Sequence, residues 1–198
     1  MRNRCFFLLL LIPSAQAEVS LQDRLAPIQS LQGEFAQQVL SEDGQELERS
    51  RGRFKLLQPG FFSWHIQSPD EQLLLATGNN LLHYDVELET ATWRDIGETG
   101  GRGPLAIFSG DGDDLSLHYQ IEQTGTDTYR LQPKGTDAGF TALSLTFSGN
   151  VPSRMTVQDQ LRQTTVIEFS AVQLNPPLEA ADFEFVPPAG VDLYYHER

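Results

Sequence analysis

Residues 52 to 85 read GRFKLLQPGFFSWHIQSPDEQLLLATGNNLLHYD. Large apolar side chains recur there in short runs, broken at Gln58-Pro59-Gly60, Ser68-Pro69-Asp70 and Gly78-Asn79-Asn80. Proline fixes φ and glycine admits positive φ, so the breaks are turns and the runs between them are strands. Alternation along residues 61–67 sends Phe62, Trp64 and Ile66 to one side and Phe61, Ser63, His65 and Gln67 to the other. Gly52, Phe54 and Leu56 separate in the same way from Arg51, Arg53 and Lys55. The expected product is a sheet with one apolar face and one polar or solvated face. The stretch offers no acid–base pair, metal-ligand cluster or phosphate loop, which points to binding rather than chemistry.

The pattern extends in both directions. Strands are expected over 31–40 and 46–57, joined at Glu42-Asp43-Gly44, because Asp-Gly suits the primed hairpin turns. Further strands are expected over 61–67, 72–77, 81–85, 90–95, 115–123, 128–132, 141–147, 154–158 and 163–174. Asn175-Pro176-Pro177 ends the last of these, and a short helical turn over 178–181 precedes the tail Phe183-Glu184-Phe185-Val186-Pro187-Pro188. Near the start, Ser20 with Asp23 has capping-box spacing and opens a helix striped by Val19, Leu21, Leu25 and Ile28, which Pro27 should end early. Residues 97–114 are rich in Gly and Asp but hold Pro104-Leu105-Ala106-Ile107-Phe108, a short helix in need of apolar cover. The expected fold is mainly β: one unclosed antiparallel barrel of about eleven strands with short helices. Its apolar face is either an ordinary core covered by a helix or a cavity beneath a helical lid.

Residues 1–4 are basic, 6–12 form an unbroken apolar run, and Pro13-Ser14-Ala15-Gln16-Ala17 ends in Ala-x-Ala. That is the layout of a signal peptide (residues 1–17) cut after Ala17, and its apolar run is too short to span a bilayer. The lone cysteine, Cys5, would leave with it, so residues 18–198 form a single exported domain without disulfide or Cys-linked lipid. The chain has 14 Lys and Arg against 27 Asp and Glu, a net charge of −13. Such a surface repels phosphate backbones and anionic lipid, which argues against nucleic-acid partners and head-group docking. The charge either keeps an apolar-lined protein soluble or steers it to a basic partner.

Catalytic candidates are weak. Asp70-Glu71 follows Ser68-Pro69 and reads as a turn. The run Asp111-Gly112-Asp113-Asp114 lacks the alternating ligands and distal Glu of a calcium loop. His65, His83, His118 and His196 show no metal-ligand spacing, and Ser109 sits in Phe-Ser-Gly-Asp, outside a nucleophile elbow. Neither an enzyme nor a cofactor is expected.

The order Gln58-Pro59-Gly60-x-Phe62-x-Trp64, Pro69-Asp70-Glu71-Gln72-Leu73, Gly78, Tyr84-Asp85, then Phe183-x-Phe185-x-Pro187-Pro188-x-Gly190-Val191 closely resembles the LolA family. These are periplasmic carriers of outer-membrane lipoproteins in Gram-negative bacteria. The resemblance implies a monomeric, cofactor-free periplasmic protein whose barrel shields the acyl chains of lipoproteins. It also implies an inner-membrane lipoprotein-releasing ABC transporter as donor and an outer-membrane receptor lipoprotein as acceptor. Phe35, Phe54, Phe62, Trp64 and Ile66 then line the cavity, and Leu105, Ile107 and Phe108 contact it from the lid. Many members carry Arg immediately before the Pro of the third-strand turn, where it ties the lid to the barrel. This chain has Gln58, which keeps two donors but loses the charge and the guanidinium fork. Leu82 stands where the family tends to have Trp, which implies a different cavity shape. Proteins similar to LolA also carry or sense other amphiphiles, such as glycolipids, pigments or free lipid, and this alternative differs only in cargo.

Overall fold

A computed structural model describes residues 19–95, 107–108, 115–135 and 138–196. Residues 1–17, Leu105, Ser109 and the acidic run 111–114 lie outside them. Helix α1 (Leu21–Leu25) is followed by β1 (Ser30–Leu40), β2 (Glu46–Leu57), β3 (Phe61–Ser68), β4 (Gln72–Thr77), β5 (Asn80–Asp85) and β6 (Thr90–Asp95). A helical turn α2 (Leu115–His118) leads into β7 (Tyr119–Gly125), β8 (Thr128–Pro133), β9 (Ala142–Ser148), β10 (Val151–Gln158) and β11 (Thr164–Leu174). A 3-10 turn (Ala180–Phe183) and β12 (Asp192–His196) complete the chain. Among the described residues no helix is long and apolar enough to cross a membrane.

All twelve strands belong to one sheet, in the order β12-β6-β5-β4-β3-β2-β1-β11-β10-β9-β8-β7. Every pairing is antiparallel except that of β12 with β6. Among the described residues the two end strands, β12 and β7, do not pair with each other, so the barrel is unclosed. The fold class expected from the turn spacing is the one observed, with twelve strands instead of about eleven.

The long central strands bend through bulges, where an extra residue adds twist and curvature. Register shifts fall at Gln32–Glu34 of β1, opposite an extra residue in Ser170–Gln173 of β11, and at Arg51–Gly52 of β2, opposite an extra residue in Ile66–Ser68 of β3. Both sites use glycine for closeness. A Cβ on Gly52 would lie 1.8 Å from the His65 carbonyl oxygen, and one on Gly33 would lie 2.9 Å from that of Ser170. No side chain fits the first position without prising β2 from β3.

The N-terminal helix is capped as its sequence implies, with Ser20 Oγ accepting from Asp23 N at 3.1 Å. It ends before Pro27, and Leu21, Leu25 and Ile28 are buried while Val19 is exposed. Asn175, with φ at +53°, locks the exit of this helix to the end of β11. Its Oδ1 accepts from the backbone N–H of Gln29 at 2.8 Å and of Ser30 at 3.2 Å, and its Nδ2 donates to the Pro27 carbonyl at 2.9 Å.

Three local expectations need correction. The β1–β2 turn is not a primed turn: Gly44 N donates to Ser41 O and Gly44 alone takes positive φ, the arrangement of a type I turn closed by a glycine bulge. Residues 115–118 are a helical turn instead of the start of a strand, and Lys134 Nζ donates to its Ser116 carbonyl at 2.6 Å. The helical turn expected over 178–181 falls at Ala180–Phe183. Beyond the tail named from the sequence, Asp192–His196 adds a strand that pairs with β6.

Candidate functional site

Trp64 on β3 and Tyr129 and Leu131 on β8 share one buried cluster, although five strands separate β3 from β8 in the sheet. The sheet therefore curls around that face, which is the inside of the barrel. Phe35, Phe54 and Trp64 are each no more than 6% exposed, and the half-buried Phe62 and Ile66 pack against the same cluster. All five expected cavity residues are thus brought together by the parity of β1, β2 and β3.

Their rings form a ladder. Phe35 stacks on Trp64 with centroids 3.6 Å apart and planes at 18°, and Phe62 lies 6.0 Å beyond Trp64. Phe54 flanks the indole at 6.1 Å and meets Phe169 edge-on at 5.3 Å. Offset and edge contacts of this kind add about 0.5–1.5 kcal/mol per pair beyond burial alone. Ser30 and Ser50 are the only buried polar side chains among the described residues, so the interior carries almost no charge. Burial in it pushes the Tyr119 phenol above its ordinary pKa.

Ile107 and Phe108 are buried in this same cluster. Gln58 sits in the turn after β2, where its backbone N–H donates to Gln29 O at 2.9 Å. From there its side-chain Nε2 donates to the Phe108 carbonyl at 3.0 Å. An amide at the strand-turn position thus holds the backbone of the segment that covers the ladder. Leu105 lies outside the described residues.

One expectation about the faces is overturned. The outer side of β3 to β6 is not solvated, because Leu75, Leu82, Ala91 and Phe183 form a second buried cluster with Phe61, Leu73, Tyr84 and Trp93. The segment after β11 crosses it: Phe183 meets Phe61 at 5.5 Å and Phe185 meets Tyr84 at 5.1 Å. Lys55 pairs with Asp182 at 3.4 Å at its border, where Asp182 is held below the usual carboxylate range by the Glu179 N–H first and by Lys55 second. Leu82 is fully buried in this outer cluster, so it does not line the inner face. Its neighbour Leu81 is the inward residue, packed near Phe62.

The residues once weighed for chemistry are dispersed. His65 Nε2 pairs with Glu71 Oε1 at 2.8 Å and His83 Nε2 with Gln72 Oε1 at 3.3 Å, both locally. Among the described residues no group of three His, Cys, Asp or Glu is placed to hold a metal ion. The inner face also draws on residues not nominated from the sequence: Leu143, Leu145, Met155, Val157 and Ile167 from β9 to β11. The alternation in Leu143-Ser144-Leu145-Thr146 and Met155-Thr156-Val157-Gln158 was the available signal.

Residues 26–186 match the family model described as outer membrane lipoprotein carrier protein LolA. A protein of Dechloromonas aromatica named outer-membrane lipoprotein carrier protein is 37% identical over 192 residues, covering 96% of this chain and 92% of its own length. One of the same name from Bordetella avium is 34% identical over 193 residues, with coverage of 94% and 92%. Among solved structures, an uncharacterized conserved protein from Thermus thermophilus superimposes with a TM-score of 0.55 at 12% identity, over 88% of this chain and 98% of that one. At that identity the likeness shows the fold alone.

Proposed function

This chain belongs to the LolA family of outer-membrane lipoprotein carrier proteins, and we propose that it carries lipoproteins by seating their acyl chains on the inner ladder of Phe35, Phe54, Phe62, Trp64 and Ile66. The observation that carries this reading is the shared cluster in which Ile107 and Phe108 cover those side chains, tied among the described residues by a neutral hydrogen bond from Gln58. An acyl chain gains about 0.8 kcal/mol for each methylene taken out of water, so transit across an aqueous compartment needs an apolar host. Delivery needs that host to let go. Displacing Ile107 and Phe108 exposes apolar surface that the acyl chains then cover, so loading and closure compete for the same face. A single hydrogen bond is worth about 1 kcal/mol net, weak enough for the exchange to run in both directions.

The protein works in the periplasm after removal of residues 1–17, and does no chemistry on its cargo. It receives lipoproteins from an inner-membrane ABC transporter, which spends the ATP, and surrenders them to a receptor lipoprotein at the outer membrane. Spheroplasts of the source cell with labelled lipoproteins, incubated with the purified protein, test this. Release of triacylated lipoproteins as soluble one-to-one complexes is expected. No release, with a free lipid or pigment bound instead, would replace lipoproteins as the cargo and leave the fold untouched.

A further inference from the structure

Strand β12 lies at the open end of the sheet and is paired on one side only. It carries an unusual apolar load for an edge: Leu193 is 42%, Tyr194 51% and Tyr195 67% exposed. An exposed apolar edge, even a short one, presents unpaired backbone groups to another strand. Asp192 N donates to Glu89 O, so residues 192, 194 and 196 turn their backbone groups toward β6. Alternation in a strand then turns the N–H and C=O of Leu193 and Tyr195 outward, free to bond a new neighbour.

The order Asp192-Leu193-Tyr194-Tyr195-His196 is complementary to its own reverse. We propose that β12 is a self-association edge, at which a second copy of this chain pairs antiparallel about a two-fold axis through Tyr194. That register puts Leu193 opposite Tyr195 of the second copy, the positions whose backbone groups point outward, and gives both hydrogen-bonded pairs at once. Asp192 falls opposite His196 of the second copy at a non-hydrogen-bonded position, where side chains approach most closely. A carboxylate accepts from an imidazole N–H whether or not the ring is charged. Neither Asp192 nor His196 has a side-chain hydrogen bond or ion pair among the described residues, so both are available. Leu193 and Tyr195 also line a cleft of 460 Å³ with Trp93, Phe185, Thr77 and Asn80, which the paired strands would extend across both molecules.

The pairing is isologous and closes on itself, so it ends at a dimer instead of growing a fibre. Five residues a side cover much less than the about 800 Å² per partner of a standard interface, and two acidic molecules repel. The dimer is accordingly weak, and the dilute protein is a monomer.

Sedimentation equilibrium of the protein purified from the periplasm, from low micromolar to millimolar concentration at physiological ionic strength, reads this directly. A reversible monomer–dimer equilibrium is expected. Asp192→Lys should weaken it about tenfold, although that change reduces the net negative charge, and His196→Glu should weaken it similarly. The double variant Asp192→Lys with His196→Glu should restore it, because the register then opposes Lys to Glu. A monomer at every concentration overturns the proposal. So does a stronger dimer in Asp192→Lys, which would mark general charge repulsion as the control, or a double variant no tighter than the single ones. Circular dichroism of each variant confirms that the exposed changes leave the fold intact.

Discussion

The side-chain amide of Gln58 donates to the backbone carbonyl of Phe108 at 3.0 Å, across 50 positions of sequence. It is a neutral bond to the backbone of a segment whose side chains are buried against the inner ladder. Gln58→Leu removes the donor and leaves the carbonyl to find water, at a cost of about 1 kcal/mol, which is roughly a fivefold gain in open population. Hydrogen exchange at Ile107 and Phe108 should speed by that factor. Gln58→Arg, which adds a charge-assisted donor, should slow both exchange and cargo release. Unchanged exchange and lipid affinity in both variants would remove Gln58 from any role in closure.

Phe62 is half-buried on the ladder while Phe35 is almost wholly enclosed against Trp64. Phe62→Glu sets an unpaired carboxylate where acyl chains would lie, yet lets it reach water in the empty protein. Loading should vanish with the melting temperature little changed. Phe35→Glu has no such escape and should unfold the domain. Normal loading by Phe62→Glu would count against the assignment of faces.

Leu82 faces Leu75 and Trp93 across the strands and Phe183 above them. Leu82→Trp should overpack this outer cluster and cost about 1–3 kcal/mol in chemical denaturation. Acyl-chain affinity should stay at the parent value, since no part of the inner face is touched. A changed affinity without loss of stability would contradict the separation of the two clusters.

Gly52 and Gly44 test two different reasons for glycine. At Gly52 a methyl group would sit 1.8 Å from the His65 carbonyl oxygen, so Gly52→Ala should cost at least about 3 kcal/mol or prevent folding. Gly44 has open space around it and φ at +79°, so Gly44→Ala should cost only about 1–2 kcal/mol of backbone strain. Equal losses from the two, measured by urea denaturation, would mean that β2 and β3 can separate more easily than their register implies.

The turn residues made most of the sheet legible: Glu46–Leu57, Gln72–Thr77 and Thr90–Asp95 begin and end where Gly, Pro and Asp punctuate them. Parity was equally legible on the inner side, because Phe54, Phe62, Trp64 and Ile66 alternate with polar residues. The outer cluster was masked by a cover that is mostly coil, since Phe183 and Phe185 carry no periodicity to mark them as packing residues. A signal existed in Leu73-Leu74-Leu75 and Leu81-Leu82, where consecutive apolar residues mean burial on both faces of a strand. The helical turn at Leu115–His118 was illegible for another reason: Leu115 and Leu117 have strand spacing, and the Lys134 that meets the turn's Ser116 carbonyl is distant in sequence. Strand β12 was overlooked behind Pro187-Pro188, although Leu193-Tyr194-Tyr195 has high strand propensity.

The inner ladder as the acyl-chain seat is the centre of the account, and photo-crosslinking reads it directly. A benzophenone side chain placed at Phe62, and separately at the outer residue Trp93, would be irradiated in the protein loaded with a triacylated lipoprotein. Adducts to the acyl chains at position 62 and none at position 93 are the predicted result. Adducts at 93, or a fully loaded protein with none at 62, would place the lipid outside the barrel and contradict it.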